Sequence, residues 1–389
     1  MPRMWWAFPI VCAVGGARAL AQTPAPNSQS PQLVPRTAEQ REQTYVAQRR
    51  INLHVVVTDA SGTPVTGLKA EDFAVSDHGL PQELALFAEV QSAKVKDDSI
   101  HGLVVLDGIN GGGAGVNRAR KELVKWLEQG HGPVAYPLEI AVASQAGTNE
   151  GKPTTDRNAL LKDLSQLTRK VYSVDCDATQ PGSDIRDSRI GAEFLGRGSS
   201  ALARWTCLNG HLTDSINALK SLAEEQENVK GRAIVIWIGS GWPLPPKMDT
   251  GQIMGGGTAG DLSDAIFAVE AEMQQGQVTL EAVSWGRFER AQGVRRTGLL
   301  GSLKGASLPE QEAALELPAL AEQTGGLALE KSKNLVDALN TCLADGEQYY
   351  SIAYDPPSAA AQGQFRSIEV KVDRPGATVR TLAGYYTQP

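Results

Sequence analysis

From residue 102 to residue 343 the chain alternates short apolar runs with amphipathic helical segments, and this alternation restricts the fold more than any other feature. Residues 103–106 (LVVL) are continuously apolar, as a strand covered on both faces must be. Val116, Ala119, Leu123 and Leu127 follow at helical spacing, and 138–143 is the next strand. Leu160, Leu161, Leu164 and Leu167 mark a second helix, with Thr155 or Asp156 placed to cap it. Ile216, Leu219 and Leu222 mark a third, followed by a strand at 233–238, a helix at 262–273 and a strand at 278–283. A helix at 315–321, a short strand at 327–329 and a last helix carrying Leu335, Leu339 and Leu343 complete the series. Repeated strand–helix units predict an α/β domain over 100–345: a Rossmann-like, doubly wound parallel sheet.

The regions on either side read differently. Residues 51–58 (INLHVVVT) are β-rich and end in the turn residues Asp59, Ser61, Gly62 and Pro64. Short strands at 73–75 and 83–90 make 50–92 an N-terminal β flank. Residues 349–354, 366–372 and 378–382 make 348–387 a C-terminal one. So few strands are marginal alone in water. The economical packing therefore joins both chain ends into one small β-sandwich-like module, with the α/β domain inserted between them. Two stretches interrupt the alternation and read as surface insertions: 171–210, polar and carrying two cysteines, and 286–307, basic and aperiodic.

The N-terminus has the form of an export signal. Arg3 precedes a mostly apolar stretch over 5–16, and Ala19-Leu20-Ala21 is a small-x-small cleavage pattern, so 1–21 is expected to be removed. The expected location is periplasmic or secreted. Residues 22–49 read as a disordered, proline-containing spacer. No apolar run is long enough for a further membrane span. A formal net charge of −7 argues against a nucleic-acid partner, which would need clustered Lys and Arg.

Candidate chemistry is sparse. Asp107 ends the first parallel strand, where open α/β sheets bind ligands, and a flexible loop of Asn110 and Gly111-Gly112-Gly113 follows it. The glycines do not complete a dinucleotide fingerprint, because Val116 stands where the third Gly belongs. Gly239-Ser240-Gly241 resembles part of a nucleophile elbow, but Ile238 occupies the position of its first Gly. The histidines at 54, 78, 101, 131 and 211 form no metal-binding pair with one another, which leaves a zinc enzyme unsupported. Cys176 and Cys207 share one insertion and are expected to form a disulfide in an oxidising compartment. Cys342 lies on the apolar stripe of the last helix and reads as a buried thiol.

Three stretches resemble a known family: 55–79 (VVVTDASGTPVTGLKAEDFAVSDHG), the core pair 103–110 (LVVLDGIN) and 231–243 (GRAIVIWIGSGWP), and the tail from LAEQTGGLAL through YYSIAYDP to LAGYY. Together, over about 51–386, they resemble the von Willebrand factor A-related proteins of the Acidobacteria. The resemblance implies the A-type fold with a metal-ion-dependent adhesion site, in which oxygen ligands hold Mg²⁺. Asp107 matches the first ligand of that pattern, and Thr154 or Thr155 the second-loop hydroxyl. Ile109 and Gly111 replace the two serines, and Gly239-Ser240 stands where an Asp is expected, so the site is degenerate and no cofactor is expected. Asn110 and Ser240 are the residues placed to compensate. The reading is an exported, non-enzymatic adhesion-type module that binds an extracytoplasmic protein through Asp107, Asn110 and Ser240. The alternative is a hydrolase using Asp107 or Ser240.

Overall fold

A computed structural model of the chain describes residues 50–92, 100–169, 171–174, 176, 198–226, 231–242, 259–285, 317–329, 334–356 and 365–387. The signal and spacer readings, and the basic stretch 286–307, lie outside the described residues. The N-terminal strands are β1 (Ile51–Thr58), β2 (Phe73–Asp77), β3 (Leu80–Gln82) and β4 (Leu84–Gln91). The α/β region runs β5 (Ile100–Asp107), α1 (Gly108–Gln129), β6 (Leu138–Ser144), β7 (Gly147–Glu150), α2 (Arg157–Leu167), α3 (Gly198–Gln226) and β8 (Arg232–Gly239). It continues with α4 (Ala259–Gln275), β9 (Val278–Ser284), α5 (Leu317–Gln323), β10 (Ala328–Leu329) and α6 (Leu335–Glu347). The chain ends with β11 (Gln348–Tyr354), β12 (Phe365–Val372), β13 (Thr378–Arg380) and β14 (Gly384–Tyr386).

The central sheet has the order β10-β9-β8-β5-β6-β7. All its pairs are parallel except β6–β7, which is antiparallel. The alternation pattern missed β7 because Gly147-Thr148-Asn149-Glu150 has no apolar side chain. Side chains alternate across a strand, so each strand feeds two cores. Val104, Leu106, Ile140, Val142, Ile234 and Ile236 face α1, α2 and α6. Leu103, Val105, Ala141, Val235 and Leu280 face α3, α4 and α5. The third helix is longer than its apolar spacing indicated. It begins at Gly198, so the end of the stretch read as an insertion is helical. Among the described residues no helix is long and apolar enough to cross a membrane.

The remaining strands form two four-stranded sheets, β13-β1-β11-β4 and β14-β12-β2-β3. Each mixes strands from both ends of the chain. β1 pairs antiparallel with β11 from Ile51–Tyr354 to Val55–Tyr350, and β2 pairs with β12. The two sheets share one core of Leu53, Val55, Phe73, Val75, Tyr350, Ile352 and Ile368. Within it Asp77 is fully buried, and its carboxylate accepts from Arg366 Nε (2.7 Å), Tyr385 Oη (2.8 Å) and Tyr354 Oη (3.2 Å). One residue of β2 thus ties down β11, β12 and β14.

A second buried polar cluster joins the β strands to the α/β region. Arg380 of β13 forms a two-pronged ion pair with Asp345 of α6. Arg232, at the start of β8, donates to the Asp345 carbonyl and to Thr279, and its guanidinium lies over the Tyr349 ring. Burial and the nearby Arg232 charge push His54, on β1, down to about 3.

Replacing Asp77 with Ala leaves Arg366 buried without its counter-charge, a change of about 3–5 kcal/mol. The expected result is a large fall in melting temperature, with faster amide exchange in β2, β11 and β12 together. A second expectation concerns pH. Glu139 of β6 is raised to about 7, mainly by burial and then by the Glu225 and Asp163 charges. A carboxyl whose folded pKa lies above its unfolded value favours folding below about 4.5, and that contribution fades as pH rises through 7. Glu139→Gln should therefore raise the melting temperature at pH 8 and have little effect at pH 4.5.

Candidate functional site

The strand order reverses at β5. The chain leaves β5 for β6 on one side, then returns to β8 on the other. The crevice at such a switch point, beyond the carboxyl ends of the strands, is where open α/β sheets receive ligands. Here it lies between Asp107, the last residue of β5, and Gly239-Ser240 at the end of β8.

Asp107 caps α1. Its Oδ1 accepts from the Asn110 main-chain N–H (2.9 Å). Its Oδ2 accepts from Asn110 Nδ2 (2.8 Å) and from the Trp237 indole N–H (3.2 Å). Burial raises the pKa of this carboxyl above its ordinary value, and the hydrogen bonds from Asn110 and Trp237 offset only part of that rise. Asn110 Nδ2 also donates to Ser215 Oγ, whose own hydroxyl donates to the His211 carbonyl on α3. α1 breaks its helical path at Gly112, where φ is +56°, a conformation that glycine adopts without a side-chain clash.

A pocket of ≈ 90 Å³ opens at this point, lined by Asp107, Asn110, Gly111, Arg118, Ser240 and Trp285 among others. This is room for more than one water-sized group. Asn110 Oδ1 and Ser240 Oγ are buried with no hydrogen-bond partner among the described residues. Arg118 is exposed and has no ion-pair partner among them.

The structure brings Asp107, Asn110 and Ser240 together, and it excludes Thr155. Thr154 bridges Leu138, the first residue of β6, whereas Asp107 is level with Ala143 near the other end of that strand. The Thr154–Thr155 pair therefore sits roughly 16 Å away, at the amino end of the sheet, at about 3.3 Å per strand residue. The segment that does reach the crevice is 171–174, which was read as the start of a surface insertion. Ser173 Oγ donates to the Ile109 carbonyl (2.8 Å), and Val174 N–H donates to Gln145 Oε1.

These residues do not fit a Mg²⁺ site. Mg²⁺ needs near-octahedral oxygen ligands. Both Asp107 oxygens already accept from N–H groups, and Ile109 and Gly111 carry no side-chain oxygen. At Gly239 a Cβ would meet Asp107 Cβ at 2.7 Å and Oδ2 at 2.8 Å, so no carboxylate can stand there without displacing Asp107.

Beside the crevice, Cys176 and Cys207 are joined in a disulfide, and Cys342 is a free buried thiol whose pKa burial pushes well up. The structure adds His211, one helical turn after Cys207. Its Nε2 lies 3.6 Å from Cys176 Sγ and 4.0 Å from Cys207 Sγ. Burial lowers its pKa, while the Asp107 and Asp214 charges and a main-chain hydrogen bond at Val174 act upward. The i, i+4 spacing of Cys207 and His211 on one helix was the signal available in the sequence; a comparison of histidines only with one another passes over it.

No family model and no curated protein matches the chain. Among solved structures it is similar to the pilus adhesin SpaC from Lactobacillus rhamnosus GG in its open conformation. That match has 6% identity and TM-score 0.35, over 82% of this chain and 48% of that one. It is also similar to the human COPII-coat protein Sec24c, at 7% identity and TM-score 0.29, over 78% of this chain and 46% of that one. A third match is the three N-terminal domains of the type V pili tip protein Mfa5 from Porphyromonas gingivalis. It has 11% identity and TM-score 0.20, over 56% of this chain and 32% of that one. The chain spans less than half the length of each, and at these TM-scores the likeness carries no argument about function.

Gly239→Ala tests how closely Asp107 and β8 approach. Overpacking of this kind costs about 1–3 kcal/mol. The expected outcome is a lower melting temperature and a changed Trp237 fluorescence, because the Asp107–indole hydrogen bond is displaced.

Proposed function

We propose that the chain is an exported, non-enzymatic interaction module of the von Willebrand factor A type, which binds an extracytoplasmic protein at the β5–β8 crevice without a metal. The observation that carries this reading is the set of pocket-lining polar groups without a partner among the described residues: Asn110 Oδ1, Ser240 Oγ and the Arg118 guanidinium. Buried polar atoms without partners are rare in folded proteins, and a partner group that satisfies them gains accordingly. Arg118 favours a carboxylate, since its planar guanidinium can hold one by two hydrogen bonds. It thus supplies the positive charge that a bound cation would otherwise bring.

The hydrolase alternative is less well supported. A serine nucleophile needs a base within hydrogen-bond reach. Ser240 Oγ has no partner among the described residues, and His211 turns its Nε2 to the two sulfurs. A disulfide suits a periplasmic or secreted location, in line with the export signal read at the N-terminus.

The test is comparative capture from an envelope extract. The wild-type chain should retain a partner in the presence of EDTA. Arg118→Glu should lose at least tenfold of it, with an unchanged melting temperature because Arg118 is exposed and has no ion pair among the described residues. Equal capture by the variant, or capture abolished by EDTA, would remove the crevice or the metal-free mode from consideration.

A further inference from the structure

The Cys176, Cys207 and His211 cluster has a geometry that a disulfide alone does not require. We propose that reduction of this disulfide converts the cluster into a zinc-binding site, with the Cys176 and Cys207 thiolates and His211 Nε2 as ligands and a water in the fourth position. This does not depend on the binding role of the crevice.

Zinc binds thiolate at about 2.3 Å and imidazole nitrogen at about 2.0–2.1 Å, in tetrahedral geometry. Those bond lengths place a ligating nitrogen about 3.6 Å from each ligating sulfur. His211 Nε2 already lies 3.6 Å from Cys176 Sγ and 4.0 Å from Cys207 Sγ. The ring is also in place, because His211 and Cys207 are one turn apart on α3 and project to the same side. A main-chain group of Val174 also acts on the ring, the kind of contact that orients a metal-bound histidine. Only the two sulfurs must separate, to about 3.8 Å, and cleavage of the bond between them permits that. The cluster is buried or half-buried, which favours a neutral assembly: two thiolates balance one Zn²⁺.

The chemistry balances with a dithiol reductant. One of its thiolates attacks a sulfur of the disulfide, a mixed disulfide forms, and the second thiolate releases it. Two electrons and two protons pass to Cys176 and Cys207, and the reductant leaves as its own disulfide. Zinc then displaces the two thiol protons, which go to solvent.

The test uses the full chain, reduced with a phosphine, desalted under argon and titrated with Zn²⁺ or Co²⁺. One equivalent should bind per chain. Co²⁺ should give a thiolate-to-metal charge-transfer band, and Zn²⁺ should protect Cys176 and Cys207 from alkylation in peptide mapping. The oxidised chain should show neither effect. His211→Ala should weaken Zn²⁺ binding at least tenfold, and Cys207→Ser should reduce the band by at least half. Wild-type chain whose circular dichroism shows it to be folded after reduction, yet which gives no band and no protection, overturns the proposal without recourse to any variant. So does a folded His211→Ala chain that binds as tightly as wild type.

Discussion

The buried carboxylate of Asp77 holds the two ends of this chain together. Its three donors come from β11, β12 and β14, all more than 270 residues away in sequence. None of these groups can be buried cheaply alone, because a charged guanidinium or an unsatisfied phenol in the core carries a desolvation cost. The interaction therefore favours only the arrangement in which N- and C-terminal strands interleave. The Arg380–Asp345 and Arg232–Asp345 contacts extend the same logic into the α/β region, where a strand of the sandwich grips the last helix of the sheet domain.

Much of this architecture was legible in the residues. Continuous apolar runs such as 103–106 and 233–238 are short and alternate with helical spacing, which marks them as strands covered on both faces. The weakness of each β flank alone pointed to their pairing. What escaped were elements without an apolar signature. β7 is polar because it is an edge strand, and the first turns of α3, GSSALARW, carry no sustained apolar stripe in line with Ile216, Leu219 and Leu222. At the site, Asp107, Asn110 and Ser240 were readable because strand ends converge at a switch point. Thr155 was misplaced, because a hydroxyl's position along the chain does not say at which end of the sheet its loop emerges. Ser173 and His211 were overlooked for a related reason: each matters through a partner distant in sequence, Ile109 in one case and Cys176 in the other.

At the crevice the fold's own hydrogen bonding occupies the carboxylate of Asp107. Asp107 is in position for a cation, yet its oxygens are committed to Asn110 and Trp237. Gly239 seals this arrangement, since any side chain there would occupy the carboxylate's own space. A ligand side chain at 239 would therefore require Asp107 itself to move.

The pairing of β4 with β11 has a consequence for how such a chain can be built. Gln91, the last residue of β4, is the register partner of Gln348, the first residue of β11. Partners in an antiparallel ladder stand about 4.5–5.5 Å apart, a gap that a two-residue turn closes. The whole α/β region thus occupies the position of a hairpin loop. In engineering terms it is an insert whose two ends meet at one rung of the ladder, and the Arg380–Asp345 pair and Arg232 over Tyr349 fasten it to the strands that carry it.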